Sequence, residues 1–327
     1  MKKYILKRII IAIATVIVLT TVIFFLVHLL PGDPFSSDKT NEAIKAKMMA
    51  YYGLDKPLFE QWFTYMKNML HGDFGVSLKY VGRTVNSAIA QTFPYSAGLG
   101  IRALLLALIS GLVLGTLAAQ NAGKTLDYVC VLIAIIGVSM PDFIIGTLLQ
   151  LLFAIKLGWL PAGQWLGLEY YILPVFALSL YTLSLITRLM RSSMLDVIHQ
   201  DYILTAEAKG LSRFEIIWRH EIRNAILPIV TTMGPLTAAV LTGTFVLEKI
   251  FAIPGMGKFY VQSINDLDYT MVLGMTTFYG IFLVSANLIV DILYGVVDPR
   301  IKLADGSGSR KKKEKPAKLE VVEAKEA

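Results

Sequence analysis

Two carboxylates, Asp142 and Asp291, sit inside long apolar runs. An ionised group held in such a run is costly unless it pairs, meets water or serves a function. Asp142 follows Pro141, which removes a helical donor and predicts a kink. Three roles suit it: an ion pair with Arg102, a place on a water-filled cavity, or capping of backbone donors freed at the kink. Asp291 belongs to a set. Asn287, Asp291, Tyr294 and Asp298 fall at i, i+4, i+7 and i+11, one stripe of a helix. A polar stripe on a membrane helix faces protein or water, so these residues either border a water-filled space or contact a neighbouring span or subunit.

The remaining reactive side chains exclude covalent chemistry. His28, His71, His199 and His220 are scattered and form no metal-ligand pair. Cys130 is the single cysteine, so neither an intrachain disulfide nor a cysteine-ligated metal site is expected. Gly123-Lys124-Thr125 has the end of a phosphate-binding loop, but Ala118 stands where that loop needs glycine and an apolar helical run precedes it. No Gly-x-Ser-x-Gly nucleophile elbow occurs.

The most sharply punctuated stretch is 201–228, a polar island between apolar runs. Asp201 is the expected N-cap of a short helix, and Gly210 supplies the left-handed residue that ends it. Ser212 and Glu215 have capping-box spacing, so a second helix starts at once. Phe214, Ile217, Trp218, Ile222 and Ile226 are the expected apolar face, with Arg213, Arg219, His220 and Arg223 mostly opposite. Ala206 and Ala208 are expected to leave a low surface that a partner can approach closely. The shape is that of a docking knob.

What positions these residues is a membrane scaffold. Of 327 residues, 55% are hydrophobic and 17% charged, with charges clustered between apolar runs. The net charge of +7 is concentrated at the N-terminus, in loops and in the tail beside apolar runs, which reads as a positive-inside signal and not as a nucleic-acid surface. Spans are expected at 9–30, 99–119, 126–157 (kinked at Pro141), 171–189 (interrupted at Pro174), 229–247 and 271–297. The basic start and first run read as a retained span and not a cleaved signal, because Pro31-Gly32-Asp33-Pro34 follows in place of small residues. Residues 1–8 are expected inside, 31–94 form an external loop with an amphipathic helix around Phe59, Trp62, Phe63, Met66 and Leu70, and 195–226 form an internal coupling loop. The tail 304–327, with Lys311-Lys312-Lys313, is expected to be disordered and able to attract anionic lipid.

Residues 201–228 resemble the cytoplasmic "EAA" loop of ABC importer permeases in the dipeptide, oligopeptide and nickel branch. Asp201, Tyr202, Thr205, Ala206, Ala208, Lys209, Gly210, Leu211, His220, Arg223, Asn224, Ala225 and Pro228 match that pattern. Leu204 in place of the eponymous glutamate, and the late Leu227-Pro228, point to this branch over sugar or metal-chelate permeases. The likeness extends in order along the chain: Pro31-Gly32-Asp33-Pro34; Gly53-Leu54-Asp55, Pro57 and Gln61; Gly72-Asp73-Phe74-Gly75 and Ser77; Ser139, Pro141 and Phe143; Trp159-Leu160-Pro161; then Asn287, Asp291, Tyr294, Asp298, Pro299 and Arg300.

The resemblance implies an all-α integral membrane protein with six transmembrane helices, cytoplasmic termini and the type I importer permease fold, in a bacterial or archaeal cell membrane. It implies a second homologous permease, two cytoplasmic ATPase subunits, an external solute-binding protein and surrounding lipid as partners. ATP and Mg would be used by the ATPases, with no cofactor on this chain and no enzyme activity of its own. Tyr202, Thr205, Ala206, Glu207, Ala208, Lys209, Gly210 and Leu211 would seat in an ATPase groove, and Asp142, Asn287, Asp291 and Tyr294 would line the path or gate. Similar permeases carry peptides, nickel chelates or glutathione-like solutes. An ion-driven transporter would call for more spans or an inverted repeat, and none is visible. An intramembrane protease would have to use Asp142 and Asp291 as its pair.

Overall fold

The computed structural model describes residues 2–29, 53, 56–80, 82–242 and 244–297. Pro31-Gly32-Asp33-Pro34, Asp298, Pro299, Arg300 and the tail lie outside the described residues, as does the side chain of Tyr294. The described elements are helical: α1 Lys2–His28, α2 Leu58–Leu70, α3 Val85–Gln120, α4 Thr125–Ser139, α5 Asp142–Leu149, α6 Glu169–Ile198, α7 Asp201–Ala208, α8 213–225, α9 Leu227–Thr242, α10 Thr244–Ile250, α11 Met256–Asn265 and α12 Tyr269–Val297.

α1, α3, α6 and α12 each contain a segment long and apolar enough to cross a membrane. α4 and α5, the latter prolonged by a π-helical stretch to Lys156, pass the same test together, but they are bent by 107° at the break. The kink expected at Pro141 within 126–157 is present and is large enough to make the stretch a broken span or a re-entrant loop. Loss of the Pro141 donor, with Met140 and Pro141 both extended in ψ, turns the chain across its former axis and does not merely tilt it. The run expected at 229–247 is described as α9 and α10 on either side of Gly243, which lies outside the described residues, so six spans remains a count read from the sequence. Pro174 lies within α6, which continues through it, so the expected interruption is absent. α3 has 36 residues, begins at a Thr84 cap that accepts the Ser87 amide at 3.0 Å, and runs about 54 Å, well beyond one hydrocarbon thickness.

α3 and α6 form the spine. Ala103, Ala107, Gly111, Gly115 and Ala119 recur every fourth residue on the buried face of α3. A β-carbon added to Gly115 would lie 2.5 Å from Met190 Cβ, and one at Gly111 2.8 Å from Ile186 Cβ, so the two backbones approach as only small residues permit. Gly137 brings α4 equally close to Ser184 and Leu180 of α6. Several hydroxyls on these helices bond back to the preceding turn, as Ser184 does to the Leu180 carbonyl at 2.7 Å and Thr187 to the Leu183 carbonyl at 2.8 Å, so those donors are not left open in an apolar setting.

α1 packs on α12, and α2 contacts both. Trp62 donates to Thr21 at 3.1 Å and Tyr65 to Thr277 at 3.2 Å. The face of α2 that is buried is Gln61, Tyr65 and Met69, while Phe59, Phe63 and Leu70 point outward.

Candidate functional site

The punctuated stretch folds into an elbow, as its residues predict, with two corrections. α7 starts at Asp201, but Gln200 occupies the cap position and Asp201 is in the first turn. The helix ends in a Schellman motif: Gly210, at φ +77°, donates to the Glu207 carbonyl at 2.9 Å, and Leu211 donates to the Ala206 carbonyl at 3.3 Å. A left-handed residue is required there, which is the use of glycine at this position. Ser212 then completes the capping box with Glu215, whose carboxylate accepts from the Ser212 amide at 3.2 Å.

The second correction concerns what faces outward. Ala206 is 4% exposed and packs with Ile203, Ile216 and Leu211 in the elbow's own small core, so it does not offer a low surface. Tyr202, Leu204, Thr205, Glu207, Ala208 and Lys209 face out instead. In α8 the expected apolar face is also displaced: Phe214 and Trp218 are among its most exposed residues, and Ile216, Glu221 and Ala225 are buried. Phe214 and Ile216, two residues apart in the first α-helical turn, already face opposite ways, and a π-helical turn follows over Ile217–Glu221. It inserts an extra residue between inward positions, giving a step of five from Ile216 to Glu221 where an α-helix gives three or four.

That turn carries Glu221 to full burial, against the end of the spine. Arg213 Nη1 lies 3.6 Å from Glu221 Oε1 and 3.5 Å from Glu207 Oε1. Gln120, the last residue of α3, donates through Nε2 to Glu221 Oε2 and accepts through Oε1 from Arg213 Nη2. One guanidinium thus ties α7, α8 and α3 together. Beside it, Arg191 of α6 donates twice to Asp127 at 2.6 and 2.7 Å, and Gly123 donates to the same carboxylate at 2.9 Å. The Gly123 amide is therefore engaged within the chain, in keeping with the absence of a phosphate loop. Ala225 and Ile229 pack with Met190 and Met194 of α6, completing the attachment.

The polar spans are separated. Asp142 is half-buried on a cavity of about 330 Å³ with Ser139, Leu178, Tyr181, Thr182 and Val240 in its wall. Its carboxylate accepts from the Phe143 amide at 2.7 Å, the capping role expected of it. Arg102 does not pair with it: the guanidinium donates to the Gly98 carbonyl at 2.8 Å and lies 4.4 Å from the Tyr171 ring centre. Asn287 abuts Gly234 of α9, and Asp291 forms a 3.0 Å ion pair with Arg8 of α1. Neither lines the cavity at Asp142.

Besides Asp127 and Glu221, two further buried acids are not evident from the sequence. Glu248 accepts from Ser96 at 2.5 Å and from the Gly257 amide at 2.7 Å, fixing the Ile253-Pro254-Gly255-Met256-Gly257 turn. Asp268 accepts from the Ser77 hydroxyl, the Leu78 amide at 3.1 Å and the Met271 amide at 3.2 Å. Glu248 is an acid at the end of an apolar run just before a glycine-rich turn, and Asp268 is an acid at the start of the apolar run that forms α12. That was the available signal.

The comparisons define first the class and then the family. The inward-facing MetNI methionine ABC transporter matches with a TM-score of 0.51 at 16% identity, covering 64% of this chain and 96% of that one. An amino acid ABC transporter solved with histidines matches at 0.50 and 13%, covering 64% and 93%. The fold is that of ABC importer permeases. The family described as binding-protein-dependent transport system inner membrane component matches residues 111–303, and its N-terminal companion matches 1–98. The dipeptide transport system permease protein DppB of Bacillus subtilis is 47% identical over 93% of this chain and 99% of its own. The oligopeptide transport system permease protein OppB of Haemophilus influenzae is 43% identical over 92% and 100%. The chain belongs to the family of inner-membrane components of binding-protein-dependent transport systems, and it is a multi-pass cell-membrane protein.

Burial is the largest influence on Glu221 and raises its carboxyl pKa above the ordinary 4.5, with Arg213 and then Gln120 opposing and Glu207 adding to the rise. The folded chain thus holds that proton more readily than the unfolded chain. The charged form costs stability above the raised pKa, and the cost fades as pH falls towards 4.5. Glu221→Gln removes this titration. Thermal unfolding in detergent should show the variant gaining on the wild type as pH rises from about 5 to about 8. A constant or reversed difference would contradict the assignment.

Proposed function

We propose that this chain is one of two permease subunits of an ATP-driven importer of di- or oligopeptides. The observation that carries the reading is the elbow. A rigid knob, tied by Arg213 and Glu221 to the end of α3, presents Tyr202, Leu204 and Lys209 outward. Near-complete coverage of a dipeptide permease at 47% identity supports the peptide class.

In this reading the termini and 195–226 lie in the cytoplasm, 31–94 lies outside, and a solute-binding protein delivers the peptide there. Residues Tyr202 to Leu211 seat in a groove of an ATPase subunit, with Ala206 as the knob's internal packing. The partner ATPases use ATP and Mg; this chain is not an enzyme and holds no cofactor. Closure of the ATPases moves the elbow, and the bracket on Gln120 passes that displacement to the α3–α6 spine. A ligand can drive such a change only by binding its two states differently, and ATP between the ATPases meets that requirement. Asp142, Asn287, Asp291 and Tyr294 belong to the path or its gate.

Uptake of labelled dipeptide, longer peptide and nickel by cells lacking the gene, with and without its restoration, tests the cargo. Peptide uptake should be lost and return with the gene; loss of nickel uptake alone, or no loss, would overturn the peptide reading. The docking surface is tested by cysteine cross-linking to the ATPase subunit. Leu204→Cys, at a site 60% exposed, should cross-link, and Ala206→Cys, at 4%, should not. The reverse pattern would contradict the proposed face.

A further inference from the structure

The break between α4 and α5 leaves an acid without a cation. Among the described residues Asp142 forms no ion pair, and the nearby candidate Arg102 is engaged elsewhere. The carboxylate's one hydrogen bond to another residue is from the adjoining Phe143 amide, so much of its acceptor capacity faces the cavity. Pro141 has no N–H to offer the Gly137 carbonyl, its partner one turn earlier. The C-terminal end of α4, where a helix carries partial negative charge, therefore opens at the same place. Ser139, Tyr181 and Thr182 add hydroxyl-bearing side chains to the lining, while Leu178 and Val240 leave part of the wall apolar. The cavity, about 330 Å³, is of the size that holds a small ligand or the end of a larger one.

An unpaired acid beside the C-terminal end of α4 and the hydroxyl-bearing side chains of the wall selects a cation that can donate several hydrogen bonds. Apolar walls beside them suit an organic group attached to that cation. We infer that Asp142, with Tyr181 and Thr182, forms a transient subsite for the α-ammonium group of a peptide in transit. This rests on the peptide-importer reading above. Every unmodified peptide carries that group whatever its side chains, so a subsite for it admits varied sequences while rejecting peptides with a blocked amino end. A bare carboxylate set between apolar helices is costly to the empty protein. An arriving ammonium offsets that cost, and the amide bond to Phe143 keeps the acid from needing a permanent partner.

The complete importer, with its second permease, ATPases and binding protein, is reconstituted in vesicles. Transport of alanyl-phenylalanine is compared with that of its N-acetyl form, each rate divided by the fraction of binding protein occupied. The wild type should favour the free amine roughly 10- to 100-fold at this step, as a charge-assisted hydrogen bond allows. Asp142→Asn should erase the preference and Asp142→Glu should keep part of it. Equal normalised rates for the two peptides in the wild type would overturn the inference without any variant, as would an unchanged preference in Asp142→Asn. If the wild type carries neither peptide while the intact complex carries another solute, the peptide-importer reading itself has failed, and the failure is distinct from that of the subsite.

Discussion

A carboxylate removed from water beside a single guanidinium holds the mechanical part of this protein together. Glu221 is fully buried; Gln120 from the end of α3 donates to its Oε2, while its Oε1 accepts no hydrogen bond and is met only by the Arg213 charge at 3.6 Å. Removing one partner from a buried charge costs far more than the pair contributes over apolar packing. The arrangement is thus better understood as a device for fixing relative position than as a source of stability. It makes the elbow continuous with a helix about 54 Å long.

Between the polar clamps the spine depends on closeness. The ladder from Ala103 to Ala119 lets α3 lie against α6 with backbone nearly touching side-chain base, so dispersion contacts replace a hydrophobic drive that membrane helices lack. At the other end, Glu248 and Asp268 act as Glu221 does. Each draws backbone amides of a turn onto a buried acid and fixes it to a distant helix or loop. Close packing holds α3 against α6, and buried acids attach the loops and turns to distant parts of the chain.

Much of this was legible in the sequence where the cause is local. Gly210 and the Ser212–Glu215 pair announced the elbow because a left-handed residue and a capping box are set by a few neighbouring atoms. The facing of α8 was not legible: Phe214 and Trp218 were assigned to the wrong side, and a π-turn shifts register without any distinctive residue. Pro141 declared a disturbance but not its size; 107° depends on how α5 packs against α6 and α10. Ser96 with Glu248, and Ser77 with Asp268, join residues far apart in sequence, which no periodicity can reveal. The small-residue ladder stood in plain view as a period of four and went unread.

The central claim is that the bracket transmits motion and does not merely hold the loop. The most direct test is the number of peptides moved per ATP hydrolysed by the reconstituted importer carrying Gln120→Leu. That change leaves Arg213 paired with Glu207 and Glu221 but cuts the tie to α3. The account predicts that hydrolysis continues while transport per ATP falls severalfold. An unchanged ratio would show that the elbow drives the spans by another route, and the bracket would then be only a local fastening.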